Sequence, residues 1–169
     1  MGSATVTAIA IESPNRLRTI SIGDSGYALF HVDPETKKVK LYFRSKEQFH
    51  PEGFDYPLQV GEGGKNVKES EVKVHDNMRE NDIVMVYTDG YSDNVFEKKF
   101  TTCLQKLIDP KTGFITNMAR AADCQARRAY ILSKDNSYKS PWQEAAMDHN
   151  KHGIEWSGGH VDDISVTVA

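Results

Sequence analysis

The apolar positions in the first half of the chain alternate with polar ones in a period of two, which is the pattern of β-strands. This pattern predicts strands at residues 4–11, 17–22, 27–32, 37–43 and 70–75, joined by turns rich in Gly, Pro and Asp. In the fourth of these strands, Val39, Leu41 and Phe43 are expected to share one face. Residues 45–70 lack periodicity and predict a long surface excursion.

Residues 83–87 form a continuous apolar run, as expected of a strand covered on both faces. Asp89 and Asp93 follow it on either side of Gly90, which permits a tight turn or a close backbone approach. An ordinary turn with a helix cap explains the same residues. If the two carboxylates converge instead, they predict a hard cation such as magnesium, manganese or calcium.

The second half of the chain changes to helical spacing. Apolar residues over 96–107 predict one helix, and a second is predicted from about residue 115 to 132. The buried stripe expected on the second helix consists of Ile115, Met118, Ala122, Ala126 and Ala129. Ser140 opens a capping box with Pro141 at the first helical position, which predicts a third helix.

Acidic residues recur at strand edges in three separate places. The residues concerned are Asp24, Asp89, Asp93, Asp162 and Asp163, and the last two precede a predicted strand at 164–168. Each place alone is better explained as a turn or a cap at the start of a strand than as a metal ligand. Together the three places predict convergence on one cation.

Two other cation sites stay open as alternatives. One is a zinc site built from His149, His152 and His160, although their intervals fit no standard pair on a helix face. The other is a calcium-binding β domain, which would be stabilised selectively by calcium.

Composition narrows the class of protein. A chain of 169 residues with a net charge of −3 predicts a single domain over 1–169 and disfavours nucleic acid as a partner. No stretch reaches the roughly 20 apolar residues of a membrane span, and no secretory signal opens the chain, so a soluble intracellular protein is expected. Cys103 and Cys124 are expected to be buried thiols in a reducing compartment, without a disulfide.

Three ordered motifs resemble those of the metal-dependent protein Ser/Thr phosphatases, the type 2C or PPM family. They lie at residues 23–26, 88–94 and 162–166, and shorter stretches at 2–5, 57–60 and 140–142 are similar to the mitochondrial and plastid branch. The resemblance covers essentially the whole chain. It implies an α+β fold, namely a β-sandwich flanked by helices in α-β-β-α layers.

The resemblance also implies a site and a reaction. Asp89 and Asp162 match the family's magnesium or manganese ligands, and Asp24 and Asp93 match positions that help to hold a further ion. The complete family domain holds two or three ions. The implied reaction is hydrolysis of phosphoserine and phosphothreonine in phosphoproteins by metal-activated water, without a covalent enzyme intermediate.

Two residues are expected to support these ligands without binding the metal. Asp163 follows the matched ligand Asp162, and Gly90 follows the matched ligand Asp89. The resemblance identifies no substrate-binding residue.

The sequence also departs from the family pattern. The family has an Asp-Gly motif near the start of the domain that bridges the metals, whereas the only Asp-Gly here is Asp89-Gly90. We therefore expect an N-terminally truncated domain that alone binds metal weakly and turns over slowly or not at all. A companion segment or larger complex is expected to cover its exposed sheet. A non-catalytic, phosphatase-derived structural or regulatory subunit stays open as the alternative, and the family branch suggests a mitochondrial location.

Overall fold

The computed structural model describes residues 2–51, 53–61, 67–149 and 157–169. The strands within these ranges are β1 Ser3–Ala4, β2 Val6–Ser13, β3 Arg16–Ile22, β4 Gly26–Val32, β5 Val39–Arg44, β6 Val60–Gly61, β7 Glu71–His75, β8 Ile83–Tyr87 and β9 Val166–Val168. The α-helices are α1 Asp89–Ser92, α2 Thr101–Leu107, α3 Met118–Ser133 and α4 Pro141–His149. Two 3₁₀ turns lie at Val67–Glu69 and Glu97–Lys99.

The strands form three antiparallel sheets. Their orders are β5-β4-β8-β9, β2-β3-β7 and β1-β6. Each strand that the alternating pattern predicts is present, with ends that differ by a few residues. The strand predicted from residue 37 begins at Val39, because the Asp33 carboxylate accepts the backbone N–H groups of Glu35 and Thr36 and so extends the turn.

Strand β4 separates two cores, because its alternate side chains point to opposite faces. Tyr27 and Leu29 join Leu17 of β3 in a small core. Ala28 and Phe30 belong to a larger core with residues of α2 and α3. The three-stranded sheet, the four-stranded sheet and the helices therefore form successive layers, which confirms the predicted α+β class.

The prediction that Val39, Leu41 and Phe43 share a face is wrong. The register of β4 and β5 shifts between Leu29 and Phe30, whose partners are Phe43 and Leu41, so one extra residue stands in β5. Such a bulge reverses the alternation. Val39 and Leu41 consequently pack in the larger core, and Phe43 packs in the smaller one.

The predicted helix at 96–107 is broken. Residues Glu97–Lys99 form a 3₁₀ turn, and α2 begins only at Thr101. Phe100, at the junction, is fully buried and its ring centroid lies 5.0 Å from that of Tyr91. The tightly packed Phe100 ring therefore lies where the 3₁₀ turn gives way to the α-helix.

The buried stripe predicted on the second helix is correct only in part: Ala129 is fully buried, and Ile115 and Ala122 pack against the larger core. The buried positions of α3 are Ala121, Gln125, Ala129 and Ser133, while Met118 is 40% exposed. Gln125 can be buried because both ends of its side-chain amide are hydrogen-bonded. Its oxygen accepts a hydrogen bond from the Tyr91 hydroxyl at 2.9 Å, and its nitrogen donates one to the Phe100 carbonyl at 2.6 Å. A satisfied polar side chain thus replaces the expected apolar contact.

The expectation of unpaired thiols is wrong as well. Cys103 of α2 and Cys124 of α3 form a disulfide across a sequence separation of 21 residues. The two helices pack against each other, which brings the Cα atoms to 5.9 Å, within the usual range for a disulfide.

The outer face of the three-stranded sheet is apolar and exposed. The register places Ile20 between Ala8 and Val72, and Val72 is 54% exposed. Val74, two residues further along the same strand, is 36% exposed. No described helix packs on this face.

Within the described ranges, the helices are all too short or too polar to cross a bilayer.

Candidate metal centre

Strand β8 ends at the acidic edge that the sequence predicts. Its buried residues alternate with half-buried ones up to Tyr87, and α1 starts two residues later with Asp89. The Asp89 carboxylate accepts the N–H of Gly90 at 2.8 Å, and the Asp93 N–H donates to the Asp89 carbonyl at 2.8 Å. This single turn of helix holds both carboxylates at the end of the strand.

The segment after residue 157 is fastened to the same edge by Thr88. The Thr88 hydroxyl donates to the Asp163 carbonyl at 2.8 Å and accepts the Ser165 N–H at 2.9 Å. A Cβ on Gly90 would lie 2.7 Å from the Asp163 carbonyl oxygen. Glycine at this position therefore lets the two backbones approach closely, as the sequence suggests.

Asn94 forms a second fastening on the other side of α1. Its amide donates to the carbonyls of Gly90 at 2.9 Å and His160 at 2.7 Å, and its oxygen accepts the His160 N–H at 2.8 Å. The side chain is fully buried, so each of these bonds replaces one to water. Asn94 thereby fixes His160 against the turn that carries the acids.

Potential ligand atoms of Asp93, His160 and Asp162 all lie within 4.8 Å of one another. The His160 Nδ1 is 2.9 Å from the Asp93 carboxylate, and this hydrogen bond raises the pKa of the imidazole. The Trp142 ring stacks on the imidazole at 4.3 Å between centroids. These contacts fix the orientation of His160 at the cluster.

Asp24 and Asp89 complete the acidic edge. Asp24 is only 3% exposed, and burial, followed by the charge of Asp89, raises its pKa to about 7. Burial and then the charge of Asp162 raise the pKa of Asp89. Burial also raises the pKa of Asp93 to about 6, against the opposing effect of its bond with His160.

Of the four carboxylates that the resemblance implies, Asp93 and Asp162 share the cluster with His160, and Asp24 and Asp89 are near enough for the charges of the four to act on one another. Asp163 is exposed and contributes through its backbone, since its carbonyl accepts from Thr88. Of the zinc alternative, His149 lies against Phe54 with ring centroids 5.6 Å apart and does not belong to the cluster that contains His160, and His152 falls outside the described residues.

Sequence reasoning missed His160 as a neighbour of the acids. Its position two residues before Asp162 is the signal that could have suggested this role. The negative charge of Asp55 also helps to raise the pKa of Asp93. The Trp142 Nε1–H donates a hydrogen bond to the Asp55 carboxylate at 3.1 Å. Asp55 lies in the aperiodic segment, where no pattern pointed to it.

The donor atoms fit a hard divalent cation. Carboxylate oxygens dominate the set and a single imidazole joins them, which suits magnesium or manganese. Burial raises the pKa of Asp24 and Asp93, and the charges of neighbouring carboxylates raise it further. A bound cation would oppose both effects.

No family model matches the chain. It is 28% identical over 168 residues to the probable protein phosphatase 2C BIPP2C1 of Oryza sativa subsp. japonica, covering 99% of this chain and 27% of that protein. It is 28% identical over 178 residues to the protein phosphatase PTC7 homolog of Xenopus laevis, covering 100% and 55%. The chain therefore spans about half or less of the length of these curated relatives.

Solved structures give the same picture. The photosystem II phosphatase PBCP superposes with a TM-score of 0.81 at 25% identity over 99% of this chain and 63% of that chain. The catalytic domain of the Ser/Thr phosphatase PstP, solved with two manganese ions, superposes with a TM-score of 0.56 at 18% identity over 98% and 57%. The second likeness supports the fold alone. The resemblance seen in the sequence is confirmed at the level of the family, while the mitochondrial and plastid branch and the C-terminal position stay predictions.

Proposed function

We propose that this chain, a member of the type 2C (PPM) family of metal-dependent protein phosphatases, supplies the C-terminal part of a phosphatase site. The complete site would hydrolyse phosphoserine and phosphothreonine in phosphoproteins. The observation that carries this proposal is the gathering of Asp93, His160 and Asp162 within 4.8 Å, beside Asp24 and Asp89. Residues 1–169 are then one unit of a larger phosphatase.

Each residue has a distinct task in this proposal. Asp89 and Asp162 would hold a magnesium or manganese ion, and Asp24 and Asp93 would hold a further one. Such ions, when bound, supply Lewis acidity that makes water a better nucleophile and offsets charge on the phosphoryl group. His160 keeps the Asp93 carboxylate oriented through the bond at its Nδ1.

The backbone contacts support this assignment by limiting movement. Thr88 and Asn94 attach the segment that carries His160 and Asp162 to the turn that carries Asp89 and Asp93. Ligands held this way lose little freedom when a cation binds, which favours affinity. The upstream Asp-Gly motif of the family would still have to supply a bridging carboxylate. We therefore keep the prediction that this chain alone binds metal weakly. The mitochondrial location also stays a prediction.

The test is hydrolysis of a phosphoserine peptide in manganese by this chain, by a chain extended N-terminally with an upstream Asp-Gly segment, and by Asp89→Asn in both. We expect activity in the extended chain and a loss on the order of a hundredfold or more in its Asp89→Asn variant. Activity that survives this substitution contradicts the assigned role. An inactive extended chain favours the non-catalytic alternative, and selective stabilisation by calcium favours the calcium-binding one.

A further inference from the structure

A groove of about 570 Å³ opens beside the acidic edge, between residues 49–51 and 53–55 on one side and helix α4 on the other. Asp93 lines the groove and also belongs to the cation cluster, so the two sites share a wall. The volume falls in the range of cavities that bind small groups. A chain segment whose phosphorylated residue sits at the cluster therefore passes the mouth of this groove.

Aromatic rings form the floor of the groove. Phe54 lies 5.7 Å from Trp142 and 5.6 Å from His149 between ring centroids. Trp142 in turn stacks on His160, so the rings lead from the groove to the cluster. Rings with accessible faces attract cations within about 6 Å, and the planar guanidinium group in particular.

Carboxylates surround these rings. Six of them line the groove: Glu47, Asp55, Asp93, Glu97, Glu144 and Asp148. The lining arginine, Arg44, is already engaged, since it pairs with Glu47 and lies 3.7 Å from Glu97. Within the described part of the chain, no salt bridge involves Asp55 or Asp148, so negative charge is left for a ligand to neutralise.

We infer that this groove binds an arginine side chain of the phosphoprotein substrate, close in sequence to the phosphorylated residue. The inference rests on the proposed function, because the phosphoryl group is what anchors the segment at the cluster. Aromatic faces and unpaired carboxylates complement the guanidinium group better than any neutral or acidic side chain. Because Asp93 lines the groove and also belongs to the cluster, the arginine lies close in sequence to the phosphoserine.

The test uses labelled phosphoserine peptides that differ at one flanking position, with arginine, glutamine or glutamate there. Fluorescence anisotropy with manganese present measures their affinity for this chain. We expect the arginine peptide to bind roughly fivefold more tightly than the glutamine peptide, and the glutamate peptide most weakly. Asp148→Asn and Glu97→Gln should each reduce the preference for arginine.

Glu35→Gln is the matched control. It removes one negative charge from an exposed residue in the turn before β5. The groove lies at the opposite end of β5, where Arg44 lines it. It should keep the full preference. Equal affinities for the arginine and glutamine peptides, or a preference that Asp148→Asn leaves intact, would overturn the inference.

Manganese binding and peptide affinity, measured also on the N-terminally extended chain, keep the two proposals distinguishable. Preference for the arginine peptide without manganese binding by the extended chain would contradict the proposed function and support the groove. Manganese binding by that chain without a preference would contradict the groove alone. Failure of the extended chain to bind every peptide would contradict both.

Discussion

The acidic edge of the four-stranded sheet and the outer face of the three-stranded sheet are covered very differently. At the edge, Thr88 ties two distant segments together through an exposed hydrogen bond, and Asn94 does so through partly buried ones. On the outer face, Val72 and Val74 remain open to solvent, and no described helix packs on them. The chain thus attaches the two parts of its candidate site to each other by its own contacts, whereas additional cover over its outer sheet face stays a prediction.

The largest expected effect comes from closing the gap at Gly90. Gly90→Ala places a methyl group 2.7 Å from the Asp163 carbonyl oxygen, and relieving the clash must move the segment that carries Asp162. We expect a loss of about 1–3 kcal/mol in the free energy of unfolding and weaker manganese binding. Urea unfolding and calorimetry measure the two effects.

Gly2→Ala is its matched control, because nothing lies within 4 Å of a Cβ there. It should leave both quantities unchanged. A Gly90→Ala variant as stable and as tightly binding as wild type would show that the close approach is not required.

Asn94→Ala should rank next. It removes three hydrogen bonds and leaves the Gly90 and His160 carbonyls without their buried partner. We expect a loss of about 2 kcal/mol in the free energy of unfolding, measured by urea unfolding. Asn77→Ala, at an exposed position, should change stability little. Equal effects of the two substitutions would contradict the role of Asn94 as a fastening.

The pH dependence of the metal-free chain should be smaller but diagnostic. The folded-state pKa of Asp24, about 7, exceeds its ordinary value of 3.8, so the folded chain binds more protons between these limits. Stability from this group is therefore full at low pH and is lost as the pH rises through 7. The raised pKa of His160 likewise makes the stability fall as the pH rises. The pKa of His75 is lowered by burial, which has the opposite effect on stability.

Comparison with Asp24→Asn isolates the effect of that group. Between pH 5 and about 8, wild type should lose stability relative to the variant in thermal unfolding, in the presence of EDTA. A difference between the two that does not change with pH would contradict the assignment of a raised pKa to Asp24.

The smallest effect is expected on the outer sheet face. Val72→Thr should change the free energy of unfolding by less than about 0.5 kcal/mol, because the side chain is 54% exposed. The matched buried substitution Leu29→Ala should cost about 2–5 kcal/mol. If Val72→Thr is as costly as a core substitution in urea unfolding of the isolated chain, something already covers this face, for example a second copy.

Local pattern predicted the strands and the acidic edges well, because alternation and turn residues are properties of neighbouring positions. It did not predict what depends on packing at a distance. Pairing of Cys103 with Cys124 requires two helices to lie side by side, and burial of Gln125 requires Tyr91 and the Phe100 carbonyl to meet it.

The same limit applies to the candidate site. The aspartates could be selected from the motifs, since the resemblance fixes their order along the chain. His160 could have been noticed only by its nearness to Asp162, and Asp55 reaches the site from a segment without periodicity. Contacts made by tertiary folding, such as the stacking of Trp142 on His160, leave no trace in local periodicity.

Calorimetric titration of manganese into wild type, Asp162→Asn and Asp163→Asn tests the central claim most directly. The two neighbouring acids differ in that Asp162 offers a ligand atom to the cluster, whereas Asp163 contributes its backbone. We predict that Asp162→Asn weakens binding at least about tenfold and that Asp163→Asn changes it little. Equal affinities for wild type and Asp162→Asn would contradict the account.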